Sequence, residues 1–110
     1  MNKERIKELL NGASNCVNDP QDADMYLLDD FDENYYGEGK IVIGNTEHTI
    51  ESLWTGKNIM DDPALMLHIT DEEFEGDIEY NSISADNQRR VIAMLRKHYN
   101  IETPQNNEKD

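Results

Sequence analysis

Asp30-Phe31-Asp32-Glu33-Asn34 sets oxygen ligands at alternate positions, as at the start of a calcium loop in which the first, third and fifth side chains converge on a hard cation. That loop also needs a glycine at its sixth place and a bidentate glutamate at its twelfth, where this chain has Tyr35 and Ile41. The segment is read as an acidic surface loop, and no metal is assigned to it. His48, His68 and His98 stand apart from one another and from Cys16, so no zinc-binding spacing exists. Strand alternation or helical phase explains the histidines as core-edge or surface residues. No nucleophile elbow supports a Ser–His–Asp or Cys–His arrangement, and Cys16, between Asn15 and Val17 in an expected loop, reads as an ordinary residue. Thr55-Gly56-Lys57 lacks the earlier glycine of a phosphate-binding loop, because Glu51 holds that place. Gly37-Glu38-Gly39 lacks a third glycine, and its acidic surroundings would repel phosphate. The sequence therefore calls for no cofactor and no catalytic residue.

The carboxylates are the unusual feature. No lysine or arginine occurs between Lys7 and Lys40, or between Lys57 and Arg89. The first gap holds Asp29, Asp30, Asp32 and Glu33, and the second holds Glu73, Glu75, Asp77 and Glu79. If the second group lies on a strand, alternate side chains share a face and repeat every ~6.7 Å. Phosphates along a nucleic acid strand are separated by a comparable distance, so a groove that neutralises phosphates would also accept such a row. The plainer reading is a solvated strand face that discourages edge-to-edge pairing. Arg89, Arg90, Arg96 and Lys97 form the sole basic patch, available to acidic segments of this chain or of a second copy.

These side chains need elements to position them. Ile6, Leu9 and Leu10 at helical spacing predict a short N-terminal helix ending before Gly12, followed by a loop over 11–24. Met25-Tyr26-Leu27-Leu28 reads as a strand, and 29–39 as an acidic loop. Lys40–Ile43 and Glu47–Ile50 flank Gly44-Asn45-Thr46, which predicts a hairpin. Residues 50–54 either close that hairpin or form a helical turn ending at Gly56. Ala64–Ile69 follows Asp62-Pro63, a good helix start, yet is short enough for a buried strand, and the strand is preferred. Phe74–Tyr80 has the alternation of a strand with one wet face, whereas Thr70-Asp71-Glu72-Glu73 matches a helix capping box. From about Ala85 to Tyr99 an amphipathic helix is expected, with Ser82 or Ser84 as N-cap. It sets Val91, Ile92, Met94, Leu95 and Tyr99 on one arc and Arg89, Arg90, Arg96 and Lys97 on the opposite one.

Together these predict one α+β domain over 1–101, a small antiparallel sheet packed against the C-terminal helix and a short N-terminal one, with a disordered tail over 102–110. Leu, Ile, Val and Phe make up just over a fifth of the 110 residues, slightly above the roughly 20% below which highly charged chains stay disordered. The core should be thin. A net charge of −14 disfavours nucleic acid and anionic membrane as direct partners and favours a basic protein surface. The single cysteine excludes an internal disulfide framework, and no apolar run approaches the ~20 residues of a membrane span, so a cytoplasmic location is expected. The function expected is a non-enzymatic interaction protein that engages a basic partner through Glu73, Glu75, Asp77, Glu79, Asp29, Asp30, Asp32 and Glu33, in its sharpest form as a nucleic-acid mimic. The alternative is an accessory module that self-associates or docks through its C-terminal helix.

Overall fold

A computed structural model describes residues 3–17, 27, 34–71 and 74–101, with the backbone alone at 34–38. Among these residues the order is α1 (Lys3–Asn15), β1 (Asn34–Ile43), β2 (Thr46–Lys57), β3 (Pro63–Thr70), β4 (Glu75–Glu79), a 3₁₀ turn (Tyr80–Ser82) and α2 (Ala85–Tyr99). The strands form one antiparallel meander in the order β1-β2-β3-β4, packed against α1 and α2, an α+β architecture.

β1 and β2 pair up to Ile43 and Thr46, so Gly44 and Asn45 alone make the turn and Thr46 belongs to β2. Gly44 takes φ 64 there, a conformation that suits the twist of the flanking strands and carries a steric cost for any side chain. Residues 50–54 close the hairpin; the ladder continues with Leu53 opposite Leu67 and Trp54 opposite Met66. At the next turn the Asn58 Oδ1 accepts from the backbone N–H of Met60 (2.9 Å) and of Asp62 (3.1 Å). Pro63 then opens β3, a place where a strand loses least by lacking an N–H. The strand reading of 64–69 holds. Asp71 and Phe74 exchange both backbone hydrogen bonds ahead of β4. Glu72 and Glu73 of the capping-box pattern lie outside the described residues; a 3₁₀ turn follows β4 at Tyr80–Ser82, where the Ser82 hydroxyl donates to the Glu79 carbonyl at 2.7 Å.

α2 spans the expected residues, with Ser84 as N-cap accepting from the Asn87 N–H. Val91, Ile92, Met94 and Leu95 are buried against Ile41, Ile50, Leu53, Leu65, Leu67 and Ile69 of the sheet. α1 adds Ile6, Leu9, Leu10 and Ala13 to that core. It passes through Gly12 rather than stopping before it, and 11–15 is helix where a loop was expected. Burial of Ala13 one residue further on and of Val17 beyond it offsets the ~1 kcal/mol that a helical glycine costs. Leu27 is in a turn and fully buried, while Met25, Tyr26 and Leu28 lie outside the described residues. The acidic loop expected over 29–39 is strand from Asn34 onward, and Ile41 is a core residue.

Arg96 departs from the basic arc expected of it. It is buried where α1 crosses α2, and its guanidinium donates to Asn11 Oδ1 at 3.2 Å. Desolvation lowers its pKa below the usual arginine value, and its alkyl stem packs while its head reaches the neighbouring helix.

Candidate interaction surface

One face of the sheet is spent on the core. The other is not covered by α1 or α2, and the registry of β2, β3 and β4 fixes what it presents. Trp54 lies beside Met66, His68 is directly opposite Asp77, Met66 opposite Glu79, and Thr70 opposite Glu75. Directly opposed residues project to the same side, so Glu75, Asp77 and Glu79 share this face with Trp54, Met66 and His68. The Thr70 hydroxyl donates to Glu51 Oε2, which adds a fourth carboxylate.

Asp77 organises the centre. Its Oδ1 accepts from the Trp54 Nε1–H at 2.8 Å, and the His68 Nδ1 lies 3.0 Å from the same oxygen. The indole reaches over Gly56: a Cβ added there would meet the ring edge at 2.5 Å and Met66 Cγ at 3.1 Å. Glycine at 56 is thus what allows the ring to lie down on the sheet. Held in this way, Trp54 remains 37% exposed, one of four large hydrophobic residues exposed among the described residues. Neither β3 nor β4 carries a lysine or arginine. An aromatic face bordered by carboxylates suits a lysine ammonium or arginine guanidinium, which the ring quadrupole and the acids attract together.

Of the residues expected at the site, Glu75, Asp77 and Glu79 come together on β4, with Glu75 and Asp77 exposed and Glu79 half-buried. Glu73, Asp29, Asp30, Asp32 and Glu33 lie outside the described residues. Sequence reasoning missed Trp54, Met66, His68 and Glu51. Their signal was the alternation within 52–56 and 64–70, which shows which residues share a face once the strand pairing is known.

His48 is a separate case. It is buried at the end of the β1–β2 hairpin, its Nδ1 2.6 Å from Asp71 Oδ2 and its ring edge-on to Phe74 at 5.9 Å. This contact ties the start of β2 to the end of β3. Cys16 is a half-buried free thiol in the turn after α1. Among the described residues no three His, Cys, Asp or Glu side chains converge as a metal site, and no helix is long and apolar enough to cross a membrane.

No protein-family model, curated protein sequence or solved structure matches this chain.

Proposed function

We propose that the protein is a non-enzymatic interaction protein whose open sheet face engages a basic protein surface. One observation carries the reading: the Trp54 indole, laid over Gly56 and fastened to Asp77, shares a sheet face with Glu51, Glu75 and Glu79, and neither β3 nor β4 carries a lysine or arginine. An arginine or lysine of the partner stacks on the ring, and the flanking carboxylates take its N–H groups. Net charge adds long-range steering towards cationic partners. In its sharper form the carboxylates compete with nucleic acid for the partner, with Glu75, Asp77 and Glu79 repeating every ~6.7 Å along β4. The alternative of docking through α2 has less support, because the apolar arc of that helix is buried in its own core.

Trp54 is the sole tryptophan, so its emission reports binding directly. Titration with an arginine-rich peptide should change that emission with micromolar to low-millimolar affinity and weaken steeply as salt rises to about 0.5 M. Replacing Glu75 and Glu79 by Gln should weaken binding at least tenfold while the fold is kept. Duplex DNA should compete for a natural basic partner if the sharper form holds. Binding that is unchanged by both salt and the double substitution would sink the proposal.

A further inference from the structure

The opposite side of the molecule carries the reverse charge. A cleft of about 330 Å³ runs between β1 and α2, lined by Gly39, Lys40, Glu47, Arg90, Met94 and Lys97, together with Ala93. Lys40 is held by Glu47 at 3.9 Å. Arg90 and Lys97 are exposed and, among the described residues, their side chains make no hydrogen bond or ion pair; Arg89 beside them is satisfied by Asp86 at 3.2 Å. In a chain with 24 acidic and 10 basic residues, two cations left unpaired over one cleft stand out. The floor between them is apolar. Met94 lies on Gly39 so closely that a Cβ there would come within 2.3 Å of its sulfur.

We infer that this cleft is a second binding surface, for an acidic peptide segment of a partner protein. Arg90 and Lys97 are seven residues apart on one helix, so their Cα atoms are separated by about 10.5 Å along its axis. A polyproline-type segment brings every third side chain to the same side at a repeat of about 9.3 Å. Two carboxylates three residues apart, with an apolar residue between them, therefore meet the two cations while the apolar side chain rests on Met94 and Ala93. Overall negative charge opposes any anion at long range, but at physiological salt that repulsion is screened beyond about 8 Å and the two cations dominate within the cleft. The protein thus has two faces of opposite preference, and this one does not depend on the Trp54 face.

The test uses the purified protein and an acetylated, amidated Gly-Glu-Leu-Pro-Glu-Gly peptide, followed by amide chemical shifts at about 0.15 M salt. Shifts should centre on Gly39, Lys40, Ala93, Met94 and Lys97, and the Gln-Leu-Pro-Gln analogue should bind at least tenfold more weakly. Arg90→Gln with Lys97→Gln should abolish the response. Both side chains are exposed, so an unaltered thermal melt will confirm that this variant is folded. The Glu75→Gln, Glu79→Gln protein should bind the peptide as the parent does, which separates this surface from the acidic one. No saturable shifts, shifts elsewhere, equal binding of the Gln analogue, an unaffected double variant, or tighter binding of a single-stranded oligonucleotide than of the peptide would each overturn the inference.

Discussion

Asn87→Ala is the substitution that most directly tests how the sheet is closed. β1 is an edge strand, and the side chain of Asn87 in the first turn of α2 serves as a partner for its outward-facing backbone. Its Oδ1 accepts the Val42 N–H at 2.8 Å, and its Nδ2 donates to the Val42 carbonyl at 2.8 Å. Asn87 is only 6% exposed, so truncation leaves both main-chain groups without that partner in a place water reaches poorly. An unsatisfied group costs about 1–3 kcal/mol. Two such groups at a partly buried edge cost about 2–4 kcal/mol, and alanine's better helix propensity returns about half a kcal/mol. The net loss of about 1.5–3.5 kcal/mol is a large share of the ~5–15 kcal/mol that holds a domain together. Urea denaturation followed by circular dichroism will show it as a lower midpoint at unchanged slope. Hydrogen exchange at the Val42 amide should accelerate more than at Leu53 in the centre of the sheet. Asn87→Asp keeps an acceptor but loses the donor and sets a charge beside the carbonyl, so it should be at least as harmful. A loss below about half a kcal/mol, with Val42 still protected, would refute the idea that this side chain seals the edge.

Leu95→Ala empties a fully buried position and should cost about 2–5 kcal/mol by chemical denaturation. Gly39→Ala should destabilise by about 1–3 kcal/mol because of its collision with Met94, and Met94→Ala added to it should recover part of that loss, as a double-mutant cycle will measure. Asp77→Ala releases the Trp54 Nε1–H to solvent; the emission spectrum should change while stability falls by less than about 1 kcal/mol, the pair being exposed. Because the charge is −14, the melting temperature should rise between low and moderate sodium chloride as self-repulsion is screened.

What could be read in the sequence depended on the reach of each interaction. α2 was legible because its cap, Ser84, and its apolar residues all lie within one short window. The hairpin about Gly44 was legible for the same reason. The continuation of α1 through Gly12 was not, because the compensating burial of Ala13 is supplied by distant core residues. Arg96 was placed among exposed cations because the helical wheel contains α2 alone, and the partner that buries it is Asn11, 85 residues away. The acidic strand gave Glu75, Asp77 and Glu79 by alternation. The indole that gives those acids chemical meaning lies two strands away, and its pairing with Asp77 across 23 residues is set by a register no local pattern specifies. Asn87 likewise reads locally as an ordinary polar residue in a first helical turn.

The seal on β1 has a consequence for how the chain is made. Val42 and the side chain that covers its backbone are 45 residues apart, and synthesis proceeds at about 5–20 residues per second. The β1–β2 hairpin is complete only at Lys57, so a nascent chain holds it with a bare edge for about 1.5–6 seconds of synthesis before Asn87 has even been added. During that interval the bare edge is a template for strand-to-strand pairing with neighbouring chains on one messenger, and the net charge of −14 that each finished chain carries opposes such pairing. Expression in high salt, where that repulsion is screened, should increase aggregation of ribosome-bound chains far more than of the finished domain.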